Sequence, residues 1–282
     1  MANTTNTWPI SVDSGELLAA ARELSRAGRW ERALRLLDAA DSGDPVLRAR
    51  LALAAAEVAL DSDWFAGTRL AAERVEAAEK EDGDGAWAVR FARLRLDYLH
   101  LLTGDDGLRF GPQGKDPGAL ADVRRRAHRL LDSAPDEVAR GWAAMYLGLI
   151  TDNLFAERAS APAHYAAALR AGESGGDDLL AREALRHLGD HDHDHGNHDA
   201  ALLNWRRASA LGARAGAVPG TLSQQLLLAV LARDAGDTAG AAALAAEVAR
   251  WAEAIGARHL HAQAAGFLAG ADPTAPPATD QT

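Results

Sequence analysis

The chain has 282 residues, a net charge of −10 at pH 7 and no cysteine. The lack of cysteine excludes disulfide bonds and thiolate metal sites, and the acidic balance gives no attraction to the nucleic-acid backbone, so we expect no nucleic-acid partner. Residues 1–12 lack the basic and apolar regions of a signal peptide, and no run of about 18 apolar residues indicates a membrane span, so we expect a cytoplasmic protein without a membrane partner.

The composition and the spacing of turn residues predict an all-α protein. Ala and Leu are abundant and aromatic residues make up only 5%, which favours closely packed helices. Gly, Asp and Pro divide the chain into helix pairs. The predicted pairs are 13–27 with 30–41, 45–60 with 63–81, 85–103 with 117–133, 136–153 with 158–173, 177–195 with 198–214, and 219–235 with 238–255.

A last helix near 257–269 is expected to cap the stack, and no strand is predicted. The polar segment 1–12 and the Pro/Thr-rich segment 271–282 are predicted to be disordered, because they offer almost nothing to bury. Residues 13–270 then form a single domain. Residues 104–118 are a long connection between two helices, which we interpret either as a plain insertion or as a lid.

Three predicted turns share one pattern: a Gly is followed five residues later by an Ala that lies early in an amphipathic helix. The three are 28–33, 196–201 and 236–241, and the last two lie about 40 residues apart, which is typical of helical repeats. The fourth and fifth predicted pairs each carry a Leu-Gly dipeptide where their two helices are expected to cross, at Leu147-Gly148 and Leu188-Gly189. Each also has a large aromatic residue after the turn, Tyr165 in the fourth pair and Trp205 in the fifth.

These positions resemble the tetratricopeptide-repeat family, whose pattern is W-x2-L-G-x2-Y, then A-x3-F. The sequence as a whole is similar to those of the actinobacterial members. The resemblance implies a right-handed α-α superhelix, a TPR-like solenoid of about six helix pairs with a capping helix. It also implies a concave groove lined by the first helix of each pair. Carried onto the fourth and fifth pairs, the groove-binding residues are Trp142, Asp152, Asn153, Glu183, Arg186, Asp190 and Asp194.

Half of the ten histidines lie between residues 187 and 198. On a helix, residues four apart share a face, so His187, His191 and His195 form a row beside Asp190. Imidazole and carboxylate ligands suit Zn²⁺, Ni²⁺ or Fe²⁺, and these four residues are the predicted metal ligands. Three alternatives stay open: a solvated helix end, a packed His187, and adventitious metal binding by a His-rich segment.

The sequence therefore supports two functions of different classes. The first is a binding scaffold whose groove holds a peptide, a protein partner or a small polar ligand. The alternative is a metal-binding protein or metal-dependent enzyme, a hydrolase or lyase, that uses the His/Asp cluster at 187–198. The sequence names no catalytic residue, and it leaves a homodimer open.

Overall fold

The computed structural model describes residues 12–82, 85–104 and 107–274. Within these residues the chain forms thirteen α-helices, one π-helical segment (Ile150–Leu154) and one pair of antiparallel two-residue strands. The elements are α1 (Ser14–Arg26), α2 (Trp30–Asp38), α3 (Pro45–Ala66), α4 (Ala71–Glu81), α5 (Trp87–Leu102), β1 (Thr103–Gly104), β2 (Gly107–Leu108), α6 (Pro117–Asp132), α7 (Glu137–Leu149), α8 (Ala161–Gly175), α9 (Asp178–Asp194), α10 (His198–Arg214), α11 (Val218–Asp234), α12 (Thr238–Ile255) and α13 (Arg258–Leu268).

The prediction of an all-α protein with helices packed in series is confirmed. The prediction that the chain has no strand is wrong for β1 and β2, which form a small hairpin where the helix α5 ends. Most of the segments predicted to be disordered, 1–11 and 275–282, lie outside the described residues. None of the described helices has both the length and the apolar character needed to cross a membrane.

The boundary between α3 and α4 differs from the predicted one. The prediction ended the first helix of this pair at residue 60 and began the second at residue 63. Instead α3 continues to Ala66 and is capped by Gly67, which has a φ of 64° that favours glycine. Asp63 stays in the helix, and its carboxylate accepts hydrogen bonds from Leu70 N at 2.9 Å and Ala71 N at 3.0 Å, so it fixes the start of α4.

Aspartate side chains begin many of the helices. Each accepts a hydrogen bond from a backbone N–H in the first turn, a group that has no partner inside the helix. These residues are Asp13, Asp44, Asp116, Asp136, Asp177 and Asp237. The Asp-rich turns that punctuate the sequence therefore determine where the helices start.

Two glycines allow the paired helices to approach closely. A Cβ atom at Gly148 would lie 2.6 Å from the ring of Tyr165, and a Cβ at Gly189 would collide with the indole of Trp205. Tyr165 and Trp205 are both fully buried. The small-residue positions of the sequence pattern are thus the places where α7 meets α8 and α9 meets α10.

The two ends of the helical series pack against each other. Buried residues of α1, α2 and α3 share one hydrophobic cluster with those of α11, α12 and α13. Arg258 Nε donates to the carbonyl of Ala66 at 3.0 Å, and His259 Nδ1 donates to that of Trp64 at 2.9 Å. The series of helices therefore closes on itself through α13 and α3; the right-handed superhelix stays a prediction.

Candidate functional site

A central cavity of about 1340 Å³ lies inside the closed series. Its wall comes mainly from α1, α3, α5, α7, α9, α11 and α13, which are the first helices of the successive pairs and the last helix. The residues between β2 and α6 contribute at one side. The sequence predicts a concave groove along the first helices, and the structure has a partly open cavity there.

One wall of the cavity is aromatic. The ring of Phe91 stacks on Trp87 with centroids 4.9 Å apart and meets the edge of Tyr146 at 5.1 Å. Trp142 lies 6.5 Å from Phe91, and Tyr98 packs edge-on against Tyr146 at 5.7 Å. Nine of the fifteen aromatic residues of the chain line the cavity. Flat side chains of this kind give a ligand apolar contact area.

A first polar cluster lies beside this wall. Arg95 donates hydrogen bonds to Asp61 at 3.0 Å and to the Tyr146 hydroxyl at 3.2 Å. Burial opposes the charge of Arg95, but the attraction of Tyr146 and Asp61 outweighs it and raises the pKa of Arg95. Burial also raises the pKa of Glu57, against the pull of Arg95 and of Arg22 at 3.9 Å. The cluster therefore offers a fixed cation beside a carboxyl group that takes up a proton more readily than usual.

A second polar cluster is built on the π-helical segment that follows α7. Its Asp152 is buried and accepts hydrogen bonds from His191 at 2.9 Å, Tyr165 at 3.2 Å and Arg158 at 3.1 Å. The extra residue of a π turn changes the direction of the side chains, and such turns are frequent at functional sites. This π turn places Asp152 between α7, α8 and α9, and Asn153 donates to the Tyr98 hydroxyl at 2.7 Å.

Arg186, His187 and Asp190 form the cavity wall on α9. Arg186 lies 3.1 Å from Asp190 and from His187 Nε2. The His187 ring stacks on Tyr165 with centroids 5.0 Å apart. Burial and then the positive charge of Arg186 hold the pKa of His187 well below its usual value, whereas burial raises the pKa of Asp190 in spite of Arg186.

The loop after β2 contacts the second polar cluster. Gly111 N donates to the Asn153 carbonyl at 2.8 Å, and Phe110 and Gly111 line the cavity. Lys115 is buried, and its ammonium donates to the backbone carbonyls of Arg109, at 2.8 Å, and of Gly111. Whether residues 104–118 are a plain insertion or a lid stays open, but this loop forms part of the cavity wall.

All seven predicted groove residues line the cavity, from Trp142 to Asp194. Trp142 Nε1 donates to Asp177 at 2.9 Å, and Arg158 bridges Asp152 and Asp194. Glu183 pairs with Arg182. Their position in the wall is a structural fact, and their role in binding stays a prediction.

The four predicted metal ligands are not brought together around one point. Asp190 faces Arg186, His191 bonds to Asp152, and His195 Nδ1 donates to the carbonyl of His191 at 2.6 Å. His187 packs on an aromatic ring, as one of the alternatives proposed. Among the described residues, the side chains that bring three ligand atoms within 4.8 Å of one another are instead His193, His198 and Asp234.

The predicted groove residues include none from the second and third pairs, because no repeat motif marks the helix faces of those pairs. The signal was present: residues 87, 91 and 95 are four apart on α5, and residues 57 and 61 are four apart on α3. If the first helices of these two pairs are assumed to face the groove as those of the fourth and fifth pairs do, the aromatic wall and Arg95 are predicted to line it.

No protein-family model matches the chain, and no curated protein matches it.

Proposed function

We propose that the protein is a binding scaffold of the TPR-like kind that holds a small ligand in its central cavity. The observation that carries the proposal is the composition of the cavity wall. In a chain that is only 5% aromatic, nine aromatic residues line this space together with six arginines and eight carboxylates. Ligand sites typically combine apolar and aromatic walls with a few well-placed polar groups.

The packing of the two ends of the helical series against each other favours a small ligand or a short peptide over a large protein partner. Since α13 packs against α3, the first helices surround a cavity instead of lining one long open groove. The cavity of about 1340 Å³ is somewhat larger than the roughly 300–1,000 Å³ of common ligand pockets. The space therefore suits a ligand of the size of a large metabolite or a few amino acid residues.

The wall also suggests the chemistry of the ligand. Phe91 and Trp87 offer a face for a flat apolar part, and Arg95 lies on the same helix as both. A guanidinium binds carboxylate, sulfonate or phosphate oxygens strongly, and the bonds of Arg95 to Tyr146 and Asp61 use Nε and Nη2 but not Nη1. A ligand that has an aromatic or apolar part and an anionic group would use both features.

The alternative function, a metal-dependent hydrolase or lyase at the predicted His/Asp set, has less support. Asp190 forms an ion pair with Arg186, and the hydrogen bonds of His191 and His195 go to other partners. Among the described residues, these side chains do not bring three ligand atoms within 4.8 Å of one another.

The dye 8-anilinonaphthalene-1-sulfonate tests the proposal, because it joins flat aromatic rings to a sulfonate. We expect one saturable site per chain, with binding weakened about tenfold by Phe91→Leu and by Arg95→Gln, which is about 1.4 kcal/mol each. Trp251→Ala is the matched control, because Trp251 is 54% exposed and does not line the cavity.

Near-UV circular dichroism of each variant would show that its tertiary packing is intact, since a loosened core also binds this dye. Dye binding that is unchanged in both cavity variants, or that is lost in Trp251→Ala, would contradict the proposal. A metabolite or peptide library screened against the dye would then identify the natural ligand class.

A further inference from the structure

Three side chains from three different helices meet at the turn between α9 and α10. His193 lies next to the last residue of α9, His198 is the first residue of α10, and Asp234 is the last residue of α11. His193 Nε2 lies 3.1 Å from Asp234 Oδ2, and the rings of His193 and His198 are 5.3 Å apart. One ligand atom from each of the three lies within 4.8 Å of the other two.

We infer that His193, His198 and Asp234 form a site for a divalent transition metal, separate from the cavity and from the predicted ligand set. None of the three lines the cavity. Two imidazoles and one carboxylate suit Zn²⁺ and similar ions. Around Zn²⁺ such ligands lie about 2.0–2.2 Å from the metal, so small rotations of the side chains close the site.

The neighbours of the site would orient its ligands. Arg233 binds Oδ1 of Asp234, at 3.0 Å from Nε, and so leaves Oδ2 facing His193. The Nδ1 atom of His193 is buried without a hydrogen-bond partner among the described residues, and it lies 3.7 Å from the carboxylate of Asp194. A metal-bound histidine commonly donates its other N–H to a carboxylate, and a small movement of Asp194 would bring its carboxylate within hydrogen-bonding distance.

A metal at this point would connect α9, α10 and α11. His193 also packs on Trp205, with ring centroids 5.5 Å apart, so the site adjoins the buried core of this hairpin. Three protein ligands leave a fourth position for water. We expect metal binding to stabilise the folded chain, because the unfolded chain does not hold the three ligands together.

The test uses the full chain without a polyhistidine tag and titrates it with Zn²⁺ in a calorimeter. We expect one ion per chain and an affinity that falls at least about tenfold in His198→Ala and in Asp234→Asn. Both residues are exposed, so both variants should keep the wild-type helical circular dichroism. His195→Ala is the matched control, since His195 is exposed and lies in the same His-rich turn.

The outcome of the control decides between a built site and a histidine-rich segment. Binding that survives in His195→Ala but not in the other two variants supports the site. No stoichiometric Zn²⁺ binding, or an equal loss in all three variants, would overturn it. Titration with Co²⁺ adds a second readout, because its visible spectrum reports whether the ion has nitrogen and oxygen ligands in a tetrahedral arrangement.

Discussion

His187 shows how burial changes the chemistry of one residue in the cavity wall. Its ring lies between Tyr165 and Arg186. Burial and the guanidinium of Arg186 both oppose a second positive charge, and they lower the pKa of His187 well below 6.5. The imidazole is therefore neutral at pH 7 and packs as a flat, uncharged ring.

The lowered pKa predicts a pH-dependent stability. Below about pH 6.5 the unfolded chain binds a proton at His187 that the folded chain does not, so the free energy of unfolding falls as the pH falls. The slope from this one residue is at most about 1.4 kcal/mol per pH unit. Urea unfolding at pH 7.0 and pH 5.5 should show a smaller loss of stability in His187→Gln than in the wild type.

Titrating groups that are distant from His187 cancel from this comparison, because wild type and variant share them. The raised pKa values of Glu57 and Asp190 act in the opposite direction, since the folded chain binds their protons more readily. The exposed His100 gives the matched control, and His100→Gln should behave like the wild type. An identical pH dependence in all three proteins would show that His187 is not held neutral.

At the residue scale, the sequence predicted which helix face lines the cavity but not the contacts between helices. Period 3.6 places Glu183, Arg186 and Asp190 on one face of α9, and they do line the cavity. His191 bonds to Asp152 and His193 to Asp234, however, across different hairpins. Spacing within one helix contains no information about partners on other helices. The row of histidines alone could therefore not show which residues the histidines bond to.

At the scale of elements, each hairpin depends on a close crossing of its two helices. Trp205 fills the space above Gly189, and its Nε1 donates to the Arg186 carbonyl at 3.0 Å. The sequence pattern predicted this crossing, because glycine before a turn and a large residue after it are typical of the repeat. It did not predict the length of α3, since residues 61–63 favour a turn locally while packing keeps them helical.

The crossing predicts the effect of adding one methyl group. Gly189→Ala should destabilise the protein by about 1–3 kcal/mol, because the new Cβ collides with a fully buried indole that cannot move aside. Gly43→Ala is the control, since the space around Gly43 is open and its effect should stay within about 0.5 kcal/mol. Urea unfolding measures both; equal stability of Gly189→Ala and wild type would contradict the close crossing.

At the scale of the whole molecule, the contact between the first and last helices makes a row of helical hairpins surround a cavity. The contact between α13 and α3 and the cluster shared by the first and last helices bring all the first helices around one cavity. The sequence predicted a capping helix but not what it packs against. Whether the two ends meet depends on the angle between each helix pair and the next, added over all the pairs. No local sequence pattern determines that total.

The distance between α13 and the start of α4 tests this closure most directly. The chain has no native cysteine, so spin labels can be attached at Leu70→Cys and Ala262→Cys, both exposed positions. Because α13 bonds to the last turn of α3 just before Leu70, pulsed dipolar spectroscopy should give one short, narrow distance distribution. A long or broad distribution would show that the series is open in solution and would contradict the contact between its two ends.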